Sequence, residues 1–532
     1  MKHDLSRRKF LGNGLALGGS LILGGSLLSG CNNSGSNTDS KAAGAKAAGS
    51  VNAEPVHGGR LRVGIIDGDQ SGNLDAHKPI GGGIIRGWAL YSKFWEWDEH
   101  VGTRLALAEF AEPNADASAW TIRIQPGLEF HHGKTIDADD LLFSILRLTD
   151  PNLASPYAGL VGAIDRDALR KLDDRTIEIR FKQGRSFFPL DETLISFGSI
   201  VPVDYDPITN PVGAGPYKLK KFIPGQRSLY TRFENYFKAG KPYLDELEII
   251  EFKDQVSRVA ALRAGQIDLA SWVQAEHSAL LKADERLRLY ASPTTSFTGF
   301  NLNLAKPPLQ DVRVRQALRL LTDREELVQR ALNGFGRVAN DLYSPHDPTF
   351  NHDIPQRAHD VDQARSLLRQ AGFQDNLQLE LTTTPGAGAN AALVYAQQAK
   401  KAGVEIKVTQ VDGSVFNGPQ RENWLVSPAS TPARGFLATA LHNDAPDAIY
   451  NRTNFHDKRF DELYYQALAQ PALEPRKALI HEAQRIQHER GGLVIWGYSD
   501  ILDAASNRVG GLVPEQTTFA SWRFDNLWLK HA

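Results

Sequence analysis

The sequence of 532 residues contains a single cysteine, and after its first thirty residues it has no long uninterrupted apolar run. A chain with one cysteine cannot form an intramolecular disulfide, so its folded part must depend on a hydrophobic core, which a chain of this length can supply. No later stretch approaches the roughly 18 consecutive apolar residues of a membrane-spanning helix. We therefore expect no further membrane span.

The sequence also lacks an excess of positive charge. Lys and Arg number 60 and Asp and Glu number 62, which gives a formal net charge of −2. A protein that binds nucleic acid usually carries a basic surplus to neutralise phosphates. We therefore expect no nucleic acid partner. The 42% apolar and 23% charged residues are ordinary for a globular protein.

Recognisable catalytic and metal-binding motifs are missing as well. The sequence contains no HExxH, no GxSxG and no spaced Cys/His cluster. His131 and His132 are adjacent, so on a strand they point to opposite faces and cannot easily share a metal ion. The glycines 81–83 lack the GK[ST] ending of a phosphate-binding loop. We predict no enzyme, no metal and no cofactor, although a hydrolase that uses two carboxylates stays open because nothing selects a pair.

The amino terminus holds the one cysteine and has the features of an export signal. Arg7 and Arg8 precede a short apolar run, Leu15 to Leu28, that is broken by Gly and Ser. This pattern resembles a twin-arginine signal peptide over 1–31, and "LSGC" resembles a lipobox that ends at Cys31. The polar segment 32–57 predicts a flexible tether. We expect lipidation of Cys31 and a membrane-anchored protein in the periplasm or on the cell surface.

Periodicity along the rest of the chain predicts a mixed α/β fold. Leu61, Val63 and Ile65 alternate with small or polar residues, as in a half-buried strand. Asp137 stands where it would cap a helix with apolar residues at a 3.6-residue period. The strand-like "LQLELTTT" and "VEIKVTQV" flank a helical segment, which predicts a β-α-β unit with parallel strands. The length indicates at least two domains.

Aromatic residues concentrate in a few short segments: "RGWALYSKFWEW", "SWVQ", "TTSFTGF", "ENWLV" and "VIWGYS". Core packing would explain any one of them. Together they would also suit a cleft that encloses an organic ligand, because such pockets are mainly apolar with few polar groups. We therefore predict Trp272, Trp424 and Trp496 as ligand contacts.

The order of the longer motifs resembles that of a known family. "GGRLRVGI", "NLDAHKP", "NPVGAGPYKLKKF", "KPYLDELEIIEF", "FNLNLAKPPLQDVRVRQALRLLTDREELV" and "HDVDQARSLLRQAGF" follow one another as they do in the large extracellular solute-binding proteins of peptide and nickel ABC importers, family 5. The resemblance runs from about Gly58 to near the carboxyl terminus.

The resemblance implies a two-lobed type II periplasmic-binding-protein fold with the ligand cleft between the lobes. Lobe one would comprise 58–97, 203–298 and 497–532, an extra subdomain would comprise 98–202, and lobe two would comprise 299–496. The chain would cross between the lobes near "TSFTGFNLN" and "VIWGYS". Hinge closure of such lobes converts ligand binding into a shape that a membrane partner can recognise.

The resemblance also implies ligand contacts in three segments, at Ile80, Gly81, Gly82, Phe297, Thr298, Phe300, Ser427, Ala429 and Arg434. In dipeptide binders the segment that matches "SPASTPARG" carries an Asp that pairs with the free amine of the peptide. Ala429 occupies that position here, and Arg434 lies just downstream. An arginine would repel an amine and can hold a carboxylate in a bidentate pair. Arg434 could equally be a structural arginine.

We therefore predict a binding protein that delivers oligopeptides, or a related small organic solute, to the permease subunits of an ABC importer in the inner membrane. We expect it to be a monomer. One alternative ligand is a carboxylate-rich amino-acid conjugate of the opine type, and others are a nickel chelate or haem. A hydrolase of cell-wall peptides is a less favoured alternative, because no nucleophile or metal cluster is recognisable.

Overall fold

The computed structural model describes residues 54–66, 73–374, 376–446, 448 and 450–530. The predicted signal peptide, the predicted lipidation site Cys31 and residues 32–53 of the predicted tether lie outside the described residues. Within them, no helix combines the length and the apolar character that crossing a membrane would demand.

The strands and helices alternate along the described chain, as the periodicity predicted. The strands are β1 Arg60–Ile66, β2 Trp95–Trp97, β3 Thr103–Leu105, β4 Ala108–Pro113, β5 Ala119–Ile124, β6 Arg170–Asp173, β7 Thr176–Arg180, β8 Tyr217–Ile223, β9 Arg227–Arg232, β10 Glu246–Phe252, β11 Leu269–Ala270, β12 Leu287–Leu302, β13 Gly336–Val338, β14 Leu377–Thr383, β15 Val404–Gln410, β16 Val426–Thr431, β17 Leu493–Ser506, β18 Val509–Gly510 and β19 Trp528–Leu529. The helices are α1 Gly82–Leu90, α2 Ala138–Leu148, α3 Leu190–Phe197, α4 Gln255–Arg263, α5 Ser278–Lys282, α6 Val312–Leu320, α7 Arg324–Ala331, α8 Val361–Gln370, α9 Ala387–Lys400, α10 Gly413–Phe416, α11 Phe436–Asn443, α12 Lys458–Leu468 and α13 Leu473–Arg490.

One large mixed sheet runs through the fold in the order β15-β14-β16-β12-β17-β11-β1-β10-β9-β8, and β13 pairs with β17. At one end β1 lies parallel to β10 and to β11. At the other end β14 and β15 are parallel in register from Leu377↔Val404 to Thr383↔Gln410, with α9 as their connection. The predicted β-α-β unit and the mixed α/β class are therefore confirmed.

Two long antiparallel strands, β12 and β17, join the two ends of this sheet. They pair from Leu287↔Ser506 to Asn301↔Leu493, with irregular register between Ser292 and Ser296 and again between Thr298 and Gly299. Both segments that were predicted to cross between lobes lie in this ribbon. Its middle carries the irregularities, and bulges of this kind bend a strand and increase its twist.

Separate hydrophobic cores form at the two ends of the sheet. The alternating residues of β1, Leu61, Val63 and Ile65, are fully buried in the first core. The second core surrounds β14 and includes Leu379 and Leu381 with the helices α6 to α9. Each parallel sheet segment is thus covered by its own helices, as buried parallel strands require.

A smaller sheet, β4-β5-β7-β6, packs against α2. Asp137 caps α2 as predicted, because its carboxylate accepts from the N–H groups of Asp139 and Asp140. The core of this part is continuous with side chains of α11, α12 and α13. The N–H of Phe188 also donates to the carbonyl of Leu468 at 3.1 Å. The segment predicted as the extra subdomain therefore contacts helices of the segment predicted as lobe two.

Candidate functional site

Two helices begin beside the carboxyl ends of parallel strands, one at each end of the large sheet. Gly81 precedes α1 with φ 53°, and Gly386 precedes α9 with φ 112°. Positive φ favours glycine at both positions. Neither helix has a side-chain cap or an acidic residue in its first turn among the described residues, whereas six other helices start at a capping aspartate: Asp137, Asp254, Asp311, Asp323, Asp360 and Asp457.

These two helix starts are where open α/β sheets bind ligands. Their first N–H groups have no partner within the helix, and the dipole favours negative charge there. The predicted contact residues Ile80, Gly81 and Gly82 form the start of α1. Ile80 is 41% exposed, although it is a large apolar residue.

A cavity of about 390 Å³ opens beside the start of α9 and strand β16. It contains the predicted contact residue Ala429. Its described lining is mostly polar or aromatic and includes no acidic side chain: Asn301, Thr384, Gly388, Phe416, Asn417, Pro428, Ala429, Ser430, His442, Asn443, Tyr450 and Arg452. We call this space the basic cavity, because of the cations described next.

Three arginines lie near the basic cavity: Arg452 on its wall, Arg421 beside Tyr450, and Arg434 near His442. The Arg421 guanidinium lies 5.4 Å from the ring centroid of Tyr450, and that of Arg452 lies 5.3 Å from that of Phe416. Burial, with the nearby Arg434 and Arg452, lowers the pKa of His442 to about 4. His442 is therefore neutral at neutral pH. Arg421 is ion-paired with Glu422 at 3.6 Å, and Arg452 donates to Asn417 Oδ1 at 3.0 Å, so Arg434 is the arginine of the three without such a partner among the described residues.

Arg434 is half-buried and forms no hydrogen bond or ion pair with any described residue. Burial lowers the pKa of its guanidinium, while Glu192 and Tyr157 act in the opposite direction. The Tyr157 hydroxyl donates to the carbonyl of Pro79 at 2.9 Å. Tyr157 is thus bonded to the loop before α1 and lies close enough to Arg434 to raise its pKa.

A carboxylate contact joins α3 to the start of α11. Glu192 Oε2 accepts from the N–H of Gly435 at 2.7 Å, and Asp347 Oδ2 accepts from the N–H of Phe436 at 2.6 Å. A Cβ at Gly435 would overlap with the Glu192 carboxylate. Burial, together with the nearby Asp191 and Asp347, raises the pKa of Glu192 to about 8.

The sequence analysis missed this carboxylate contact. The only local signal was a helix that starts after Gly435 without a Ser, Thr, Asp or Asn cap of its own.

The remaining predicted contact residues lie in three places: near the basic cavity, at partly exposed positions of β12 and beside β11, and in the interior. Ser427 and Trp424 lie near the basic cavity: Ser427 Oγ accepts from Asn301 Nδ2 at 3.2 Å, and Trp424 Nε1 donates to the carbonyl of Phe416 at 3.1 Å. Thr298 is half-buried in β12, and the Trp272 ring is 37% exposed at the end of β11.

The other three predicted contacts lie in the interior. Phe300 stacks on Tyr395 at 4.7 Å and Phe297 on Tyr343 at 6.0 Å between ring centroids. Trp496 is 1% exposed, and its indole nitrogen has no hydrogen-bond partner within the described part of the chain. Phe297 belongs to the same buried cluster as Ala429, whereas Phe300 and Trp496 belong to the core around β14.

The chain is similar to known proteins. The profile of the bacterial extracellular solute-binding proteins, family 5 Middle, matches residues 103–439. The dipeptide-binding protein of Escherichia coli K12 is 25% identical over 468 residues, which cover 80% of this chain and 86% of that protein.

Solved structures share the fold at lower sequence identity. The ABC transporter substrate binding protein CtaP of Listeria monocytogenes superposes with a TM-score of 0.79 at 23% identity and covers 89% of this chain and 100% of its own. AgaA of A. tumefaciens R10, solved with agropinic acid, has a TM-score of 0.75 at 20% identity and covers 89% of this chain and 99% of its own.

The fold is therefore that of the two-lobed α/β solute-binding proteins, as predicted. The chain belongs to the bacterial extracellular solute-binding proteins, family 5. Members of this class bind solutes outside the cytoplasm for ABC importers. Among the described residues, no group of three or more His, Cys, Asp or Glu side chains is arranged to hold a metal ion.

Proposed function

We propose that this protein captures a small organic solute that carries at least one carboxylate, and that it delivers this solute to an ABC importer. An opine-like amino-acid conjugate fits this description best. The observation that carries the proposal is the basic cavity, which has Arg452 and Ala429 on its wall, Arg421 beside its Tyr450 and Arg434 near its His442.

Electrostatics favour an anion over a free amine in this cavity. An ammonium group there would lose hydration and meet no acidic side chain among the described lining residues. A carboxylate would instead gain charge-assisted hydrogen bonds, each contributing about 1.5–3 kcal/mol. Arg434 has a planar fork of donors and no ion-pair partner in the described chain, so it suits this role.

An ordinary peptide is the second candidate, and one observation favours it. Ser427 to Thr431 of β16 pair with β12 on one side, while β14 pairs with β16 only at Leu381↔Val426. Within the described residues, this leaves a strand edge beside the basic cavity. An extended peptide could add to such an edge through its backbone, with little selection among side chains.

The remaining predictions belong to the same proposal. We propose binding rather than catalysis, supported by the relatives that are named as binding proteins. The lobe boundaries, the monomeric state and the lipid anchor at Cys31 stay as predicted from the sequence. A nickel chelate or haem has no specific observation in its favour among the described residues.

Titration calorimetry with a matched pair of ligands tests the choice of solute. N-(1-carboxyethyl)alanine and alanylalanine have the same side chains, but the first has a second carboxylate and the second has a free amine with a peptide bond. We expect the dicarboxylate to bind more tightly. Tighter binding of alanylalanine would instead favour the peptide candidate.

Variants of Arg434 test the role of its guanidinium. Arg434→Ala should weaken binding of N-(1-carboxyethyl)alanine by roughly 10- to 150-fold, which corresponds to the loss of one charge-assisted pair. Arg434→Lys should recover only part, because an ammonium cannot reproduce the planar fork. Arg459→Ala, which removes an exposed arginine paired with Glu482 on the outer helices α12 and α13, is the control. Equal binding by all four proteins would make Arg434 structural.

A further inference from the structure

Four aromatic side chains from three distant segments form a continuous group at the β1 end of the large sheet. Trp272 stacks on Trp522 with ring centroids 4.7 Å apart and planes 16° apart. Trp522 contacts Phe519 at 5.3 Å, and Phe519 contacts Trp88 of α1 at 4.8 Å. We call Trp88, Trp272, Phe519 and Trp522 the aromatic wall.

Trp272 is held in a fixed position although its ring is 37% exposed. Its φ is 56°, an uncommon backbone conformation for a bulky residue. Its N–H donates to Asp503 Oδ1 at 2.9 Å, and its carbonyl accepts from Arg258 Nη2 at 3.0 Å. Such strain persists only where the surroundings over-determine the conformation, and it is concentrated at functional sites.

The polar groups of the two stacked indoles are already used inside the protein. Trp272 Nε1 donates to the carbonyl of Thr518 at 2.9 Å, and Trp522 Nε1 donates to Ser271 Oγ at 2.8 Å. The exposed part of Trp272 therefore has only ring surface to offer. A surface of this kind recognises a flat or apolar group by stacking and burial, not by hydrogen bonding.

Two neighbouring cavities relate the aromatic wall to the basic cavity. Trp272 lies just beyond the carboxyl end of β11, and Trp88 belongs to α1. The residues after Trp272, starting with Val273, line a cavity of about 320 Å³ together with Gly386 and Ala387 at the start of α9. Gly388, one residue further, lines the basic cavity. The start of α9 therefore connects the neighbourhood of Trp272 to the arginines.

We infer that the aromatic wall is the subsite for an aromatic or bulky apolar side chain of the solute, and that Trp272 determines this preference. The inference rests on the proposed function for the anionic end of the same solute. The preferred ligand class is thus an amino-acid conjugate with a carboxylate for the basic cavity and a phenyl-sized group for Trp272. A carboxylate alone, or a phenyl-sized group alone, does not define this class of ligand.

Two ligand series test the inference in the full chain. Each series compares a phenylalanine compound with its alanine partner: N-(1-carboxyethyl)phenylalanine with N-(1-carboxyethyl)alanine, and alanylphenylalanine with alanylalanine. Titration calorimetry gives the affinity ratio within each series. We expect a preference for the phenyl compound that falls by about two- to twelvefold in Trp272→Ala, the range of an aromatic pair. Trp272→Phe should retain part of the preference.

The controls separate this inference from the proposed function. Tyr243→Ala, which alters an aromatic residue in edge-on contact with His57, should leave the ratio unchanged. If the dipeptide series binds more tightly but Trp272→Ala still abolishes the phenyl preference, the aromatic subsite is supported and the proposal of an anionic solute is refuted. The inference of an aromatic subsite is refuted if neither phenyl compound is preferred, if the preference survives in Trp272→Ala, or if no compound in either series binds.

Discussion

Glu192 should make the stability of this protein depend on pH in a way that one substitution removes. Its carboxyl group is half-buried between Asp191, Asp347 and the N–H of Gly435, and its pKa is raised from 4.5 to about 8. The folded protein therefore retains a proton that the unfolded chain releases above its ordinary pKa. The contribution of the protonated Glu192 carboxyl to the free energy of unfolding is fully present below pH 4.5 and is lost as the pH rises towards 8.

The size of the effect follows from that shift. A full difference of one proton changes the free energy of unfolding by about 1.36 kcal/mol per pH unit. Between pH 5.5 and 7.5 this gives at most ~2.7 kcal/mol, and because Glu192 is partly exposed, solvent screening reduces it to about 1–2 kcal/mol. Glu192→Gln has no charge to neutralise, and its amide oxygen can still accept from Gly435. We expect the stability of this variant relative to the wild type to rise by that amount between pH 5.5 and pH 7.5.

Urea denaturation of three proteins at both pH values measures this difference. The control is Glu405→Gln, which removes an exposed carboxylate of β15. Asp444 and Asp503 also have pKa values raised to about 6 by burial, but they are present in all three proteins and cancel in the comparison. A gap between Glu192→Gln and the wild type that is equal at both pH values would refute the reasoning. So would the same pH-dependent gap in Glu405→Gln.

Three further predictions concern the core, the motion of the lobes and the anchor. Phe300→Ala should lower the free energy of unfolding by about 3–5 kcal/mol, because it empties a fully buried site against Tyr395. If the variant instead keeps its stability and loses affinity for N-(1-carboxyethyl)alanine, Phe300 is a ligand contact. Saturation with that ligand should reduce the radius of gyration in small-angle scattering, since the lobes close around it, and an unchanged profile would contradict closure. Cys31→Ser should move the protein from the membrane to the soluble fraction after cell fractionation, and continued membrane association would exclude lipidation at Cys31.

Local features of the fold were predictable from the sequence because neighbouring residues determine them. Leu61, Val63 and Ile65 alternate because β1 has one face in the core, and Asp137 caps α2 through N–H groups only two and three residues away. The parallel β14 and β15 follow from two apolar strands joined by a helix. Each of these patterns is complete within a short stretch of the sequence.

Contacts between distant segments were not predictable in the same way. Glu192 and Gly435 are 243 residues apart, and the aromatic wall collects Trp88, Trp272 and Phe519 from three separate segments. Periodicity also could not distinguish a ring that lines a cleft from one inside a core, because both are apolar positions in the sequence. Phe297, Phe300 and Trp496 are buried and Trp272 is partly exposed, yet the sequence predicts all four alike as ligand contacts.

The ribbon of β12 and β17 has a mechanical consequence. Two crossings that were free loops would let the halves of the sheet swing with little resistance. Here the crossings are hydrogen-bonded to each other over most of their length. Any relative rotation of the two halves must therefore twist this ribbon. The irregular register between Ser292 and Gly299 marks where the ribbon is already bent and twisted. We therefore expect this ribbon to resist relative rotation of the two halves of the sheet more than free loops would.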